Sequence, residues 1–195
     1  MENHTNQIFE FLSLASQLKQ LPRTGWVRSG ITSPESVAGH SWRTALLVLF
    51  FPSIPNKFDQ NKALRMALVH DIGESIVGDF TPTDLDPETK YEKEKKAYEI
   101  LEKTEGGQVG QDIKELWLEF EAGKTEEAKL VKQLDKFEML KQAFEYEKQS
   151  KKEIRLKSFF KKRMIFENTV IEQWHTELLK QRDLFWKAKT IEEKN

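Results

Sequence analysis

The sequence predicts an all-α fold, and three observations carry that reading. Apolar residues recur at three- and four-residue spacing along most of the 195 residues, strand-type alternation is nearly absent, and Ser, Asp, Pro and Gly punctuate the periodic segments where helices begin and end. Hydrophobic residues make up 38% and charged residues 32%, with 13 Phe and 5 Trp, a mixture that suits amphipathic helices around an aromatic-rich core rather than disorder.

The elements follow in order. Ile8, Phe11, Leu12, Ala15 and Leu18 mark one face of a first helix that Pro22 closes. Ser33-Pro34-Glu35 supplies an N-cap, a first-turn proline and a first-turn acid, and predicts a helix running to about Phe51, before Pro52 and Pro55. Asp59 caps a helix through Ala63, Ala67 and His70, whose end Gly73 and Gly78 loosen. Asp86-Pro87-Glu88 repeats the cap-plus-proline start, and Gly106-Gly107 ends that helix. Val109, Ile113, Leu116, Trp117 and Phe120 form the next stripe, stopped near Gly123. Thr125 caps a long helix bearing Val131, Leu134, Phe137, Leu140 and Phe144, and two more aromatic-rich helices are expected between Leu156 and Trp186.

The expectation is a bundle of about seven or eight helices. No linker rich in Pro, Gly or Ser divides them, so residues 1–189 read as one domain and 190–195 as a frayed tail. Formal charge is −1, which gives no global electrostatic reason to expect a nucleic-acid polymer as partner. Met1–Asn6 lack the pattern of a signal peptide, and the longest apolar run, Ala45–Pro52, is too short for a membrane span; the expectation is an intracellular, cytoplasmic protein.

The chain has no cysteine, so thiol catalysis, iron–sulfur clusters and Cys-ligated zinc are excluded, and any metal must be held by His, Asp and Glu. Of the four His, His4 lies in a polar N-terminus and His175 sits among Trp174, Glu172 and Glu177 with no ligand pattern. His70-Asp71 is followed by Glu74 and then Asp79, and helical spacing brings His70, Asp71 and Glu74 toward one region. Such a group is either an ion-pair cluster at a helix end or a metal site. The preceding run Ala63–Val69 is largely apolar, and a buried charge must be paired or must coordinate an ion. Asp135, between Val131 and Met139, either belongs to a polar stripe with Lys132 and Glu138 or is a buried ligand. His40, ahead of Leu46, Leu47 and Leu49, reads on its own as a core or boundary histidine. Taken together, His40, His70, Asp71 and Asp135 would offer two nitrogens and two carboxylates, a set compatible with Mn, Fe, Co, Ni or Zn.

The order His40, His70-Asp71, Asp135 resembles that of the HD-domain metal-dependent phosphohydrolases. The flanking strings Pro22-Arg23-Thr24-Gly25-Trp26, Pro34–Ser41, His70–Glu74 with Gly78-Asp79, and Lys132–Met139 are similar to the 5'-deoxynucleotidase branch, with the motif set spanning residues 20–145. The resemblance implies a single helical HD domain, usually dimeric, that releases phosphate from deoxyribonucleoside 5'-monophosphates with one divalent ion of Mn, Co or Fe type, or Zn or Ni. By carry-over, His40, His70, Asp71 and Asp135 hold the metal, Glu74 positions water or protonates the leaving oxygen, and Asp79 contacts water or the sugar. Arg23 grips the phosphate as a fork and Trp26 walls the sugar pocket, disfavouring a 2'-hydroxyl. Gly25 stands where bacterial members carry the Arg next to the Trp, and Gly39 where an acid precedes the first His, so Arg28 and Arg43 compete with Arg23 for the phosphate. The other readings are an HD-type hydrolase of triphosphates or cyclic nucleotides and a non-catalytic helical module. Such a module would use the charged helix Glu88–Glu105 or the basic stretch Lys148–Arg163, where eight Lys or Arg face one Glu.

Overall fold

In a computed structural model describing residues 2–150, 153–161 and 164–192, the chain is all-α; no strand forms among the described residues. The helices are α1 (Glu2–Ser16), α2 (Thr24–Arg28), α3 (Val37–Val48), α4 (Gln60–Val69), α5 (Glu74–Val77), α6 (Pro87–Glu105), α7 (Gln108–Ala122), α8 (Glu126–Gln149) and α9 (Thr169–Glu192). Short 3₁₀ turns at Gln17–Lys19 and Lys157–Phe160 complete them. Two compact units are distinguished, residues 1–132 and 133–195.

Most helix boundaries follow their local chemistry. Asp59 accepts from the Asn61 and Lys62 amides, Asp86 from the Thr89 amide, and the Thr125 hydroxyl from the Ala128 amide, each satisfying donors that a helix start leaves open. Gly106 and Gly123 close α6 and α7 in left-handed conformations at φ 71° and 62°.

One start is corrected. The cap of α3 is Ser36, whose hydroxyl accepts from the Gly39 amide, not Ser33. Residues 34–36 are held extended because the Arg23 amide donates to Glu35 O at 3.0 Å and the Val37 amide to Leu21 O at 2.9 Å, a bridge across Pro22 and Ser36. That pairing with a segment fourteen residues away overrides the local signal of Ser33-Pro34. Two helices were also expected after Leu156, and among the described residues one forms: the first of the two is only the 3₁₀ turn at Lys157–Phe160. Residues 151, 152, 162 and 163 of the basic stretch lie outside the described residues, as do 193–195 of the expected tail; α9 is helical through Glu192.

In the first unit, α3 packs on α4, α6 on α7 and α1 on α6. Leu18, Val37, Ile72, Tyr98, Leu101, Ile113 and Trp117 form its buried core. Trp117 is stacked between Tyr91 and Tyr98, with ring centroids 5.4 and 4.5 Å away.

The second unit is organised by an ion pair. Glu147, fully buried on α8, receives Arg182 Nε at 2.7 Å and Nη2 at 2.8 Å, the Trp186 indole N–H at 2.9 Å and the Leu156 amide at 2.7 Å. Four donors satisfy one carboxylate, and together they fasten α9 and the 156 turn to α8. Arg182→Ala leaves this carboxylate buried without its cation, and we expect a loss of about 3–5 kcal/mol, read as a lowered urea midpoint.

Candidate metal centre and its surroundings

The site grows from the way α4 ends. His70 caps the helix, Asp71-Ile72-Gly73 make a tight turn in which the Glu74 amide donates to Asp71 O, and α5 begins at Glu74. Tyr98 of α6 sets this turn from beneath: its hydroxyl lies 2.6 Å from Val69 O and 2.8 Å from His70 O and donates to these carbonyls at the helix end. Burial pushes the phenol well above its usual range, helped by the Asp71 charge, so it stays a donor. Gly73 is required by closeness rather than by φ, because a Cβ there would stand 2.7 Å from the Tyr98 ring.

His40, buried in the first turns of α3, meets this turn. Its Nε2, the His70 Nε2 and an Asp71 oxygen all lie within 4.8 Å of one another, with His40 Nε2 3.8 Å and His70 Nε2 3.4 Å from Asp71 Oδ2. His70 Nδ1 is 2.8 Å from Ala67 O, and a carbonyl only accepts, so Nδ1 carries the proton and Nε2 presents a lone pair. In the neutral ring that lone pair faces the Asp71 carboxylate across 3.4 Å. His70 Nε2 makes no hydrogen bond although it is buried. A divalent cation would complete such a group, and the donor chemistry fits one.

Glu74 is buried beside this group and its Oε2 has no hydrogen bond. Burial, and then the negative charges of Asp71 and Asp79, raise its carboxyl well above the usual range, while Arg23 and Lys90 oppose the rise. Arg23 enters from the start of α2, with Nη1 3.5 Å from Asp71 Oδ2 and 3.4 Å from Asp79 Oδ1. Asp79 holds that start in place, accepting from the Thr24 amide at 2.6 Å, while the Thr24 hydroxyl donates to Asp79 O at 2.7 Å. Gly78, at φ 86°, makes the bend that brings Asp79 there.

Trp26 is 2% exposed and its indole N–H donates to Glu35 at 3.0 Å. Of the competing arginines, Arg28 is engaged elsewhere: its guanidinium pairs with Asp84 at 2.5 Å and donates to the Thr81 hydroxyl at 2.8 Å. Those contacts hold the Asp84 carboxyl at about 2. Arg43 sits half-buried on α3, three residues beyond His40. Asp135 lies half-buried on α8, in the second unit. His4 is exposed, and His175 is buried against the Phe166 ring and near Glu172.

A model of the HD domain matches residues 15–174 of the chain. The chain belongs to the HD-domain family. Among its relatives, a Dictyostelium discoideum protein named 5'-deoxynucleotidase HDDC2 is 47% identical over 161 residues, covering 77% of this chain and 85% of the relative. The human 5'-deoxynucleotidase HDDC2 is 40% identical over 154 residues, 78% of this chain and 74% of the relative. Among solved structures, a Pyrococcus horikoshii protein superposes with TM-score 0.71 at 28% identity, covering 91% of this chain and 99% of that one. One described as a predicted metal-dependent phosphohydrolase from Magnetospirillum magnetotacticum gives 0.62 at 26% identity, over 74% and 75%.

Three contributors escaped the sequence reading. Glu35 was assigned to a helix turn and instead accepts from Trp26, while Tyr98 and Lys90 sit on α6, whose dense charge resembles a solvated face. An aromatic at Tyr98, eight residues beyond Lys90 on the same stripe, was the available signal. On that stripe Glu94 is raised to about 7, because burial outweighs Lys90 and the Asp71 charge adds to it. Folding therefore favours the protonated carboxyl: its contribution is complete below the ordinary carboxylate range and is lost as pH rises through about 7. In chelator-treated protein, Glu94→Gln should gain up to about 2–3 kcal/mol relative to the parent between pH 5 and 8, measured as the pH dependence of the difference in unfolding free energy.

Proposed function

We propose that the protein is a metal-dependent 5'-deoxynucleotidase that hydrolyses deoxyribonucleoside 5'-monophosphates to deoxynucleoside and phosphate. The observation that carries this is the meeting of buried His40 and His70 with Asp71, with the Glu74 carboxyl, whose pKa burial raises, beside it and Arg23 at its edge. Relatives named 5'-deoxynucleotidase, similar over three quarters or more of this chain, support the substrate class.

His40, His70 and Asp71 would hold the ion, and Asp135 is proposed as the fourth ligand on the order of the family motif. Bound there, a divalent ion supplies Lewis-acid charge that polarises a phosphoryl group and makes water more acidic. Mn, Co or Fe suits the nitrogen and oxygen donors, which do not distinguish sharply among them.

Arg23 offers a fork to the non-bridging phosphoryl oxygens, oriented by Asp79, which fixes the backbone at Thr24. Trp26, braced by Glu35, backs the wall against which the deoxyribose lies. As water attacks phosphorus and the bond to the 5'-oxygen breaks, Glu74 delivers its proton to that oxygen. Its burial favours the protonated form that this role needs. The leaving deoxynucleoside departs neutral, and the proton lost by the attacking water restores the acid. Asp79 keeps water and the sugar edge in register with Arg23. A cytoplasmic homodimer is the working state adopted with this reading.

Protein loaded with Mn or Co should release phosphate from a panel of deoxynucleoside monophosphates and leave tri- and cyclic nucleotides intact; a panel yielding no phosphate refutes the assignment. His70→Ala and Asp71→Ala should each lower turnover at least about a thousandfold while helical circular dichroism persists. Elemental analysis should find less than one ion per chain in either variant. Adding Mn or Co to chelated parent protein should raise its unfolding temperature, and the two variants should lose that response.

A further inference from the structure

Lys90, Glu94 and Tyr98 fall at i, i+4 and i+8 on α6 and so share one face of that helix. Tyr98 fixes what that face meets, since its hydroxyl donates to the carbonyls of Val69 and His70. Lys90 is two turns nearer the start of α6, which also packs on α5, the helix opened by Glu74. Its ammonium lies 3.3 Å from Glu94 Oε1, and its side chain is 37% exposed. An ammonium has three donors, and the one carboxylate partner leaves donors within reach of a ligand from solvent.

The electrostatics agree with this placement. Burial works against the Lys90 charge, but Glu94, Glu74 and Asp71 together hold its pKa above the ordinary value. Glu74 in turn senses two cations, Arg23 from α2 and Lys90 from α6. Near neutral pH Glu94, raised to about 7, is itself only partly ionised, so it neutralises Lys90 only in part. A surface i,i+4 pair serving the helix alone would contribute a few tenths of a kcal/mol and would have no reason to sit among the acids of a catalytic turn.

We infer that Lys90 is a second anion-binding cation of the site, donating to a phosphoryl oxygen on the α6 side while Arg23 serves the other. This rests on the phosphomonoesterase reading for its substrate, and not for its test. A dianionic phosphate entering between Asp71, Glu74, Asp79 and Glu94 is repelled by whichever of them are ionised, and two cations on separate helices offset that repulsion and fix the phosphorus between them.

The experiment is calorimetric titration of inorganic phosphate into the Mn-loaded full chain, beside steady-state kinetics on one deoxynucleoside monophosphate. Lys90→Met should weaken phosphate binding about tenfold, the cost of one charge-assisted hydrogen bond, with the kinetic loss falling on KM more than on kcat. Lys90→Arg should restore most of the affinity, and Glu94→Gln should bind phosphate at least as well as the parent. Lys90→Gln, which keeps a hydrogen-bonding stem, decides the matter if the Met variant loses helicity. Unchanged phosphate affinity in Lys90→Met, or no phosphate binding by the parent, overturns the inference. Phosphate binding that depends on Lys90 without any turnover by the parent would sustain the inference and refute the activity instead.

Discussion

The carbonyls of Val69 and His70 end α4, and the Tyr98 hydroxyl that donates to them is the contact on which the turn from His70 to Glu74 depends. A helix end inside a core leaves acceptors that water would otherwise satisfy. Supplying the donor from another helix lets α4 stop there, with His70 inward and Asp71 and Glu74 following within one turn. The same ring is stacked on Trp117, which Tyr91 covers from its other face, so the donor is as rigid as the aromatic core behind it. The geometry of that turn and the packing of the core in the first unit are therefore one problem, joined at one side chain.

Around that turn the charges are arranged to remain unsatisfied in a controlled way. His70 has its proton fixed on the ring nitrogen away from Asp71, and Glu74 has no hydrogen bond for one oxygen, although both are buried. Polar groups left this way in an interior destabilise a fold unless a ligand completes them. The core of the first unit provides the stability that offsets this arrangement.

How much of this was legible in the sequence depended on the range of the interaction responsible. Asp59, Asp86 and Thr125 were readable as caps because a cap bonds within three residues, and Gly106 and Gly123 because left-handed closure is a local property. Ser33 misled because the bridge between residues 21–23 and 35–37 is tertiary, and the same bridge placed Glu35 against Trp26. The cluster of His70, Asp71 and Glu74 was readable from spacing and an apolar lead-in, while His40 needed the family motif, since alone it resembles any core histidine. Lys90 and Tyr98 were hidden by α6, where ionisable residues are so frequent that a functional one carries no distinguishing mark.

The approach of Gly73 to the Tyr98 ring ties together two positions 25 residues apart. Since a Cβ at 73 would stand 2.7 Å from that ring, the glycine cannot change without displacing either the ring or the turn. In this chain an alanine at 73 would call for a slimmer side chain at 98, and the hydrogen bonds to the end of α4 would then have to come from another group. Replacing the glycine therefore also endangers the hydrogen bonds that finish the helix ending at His70.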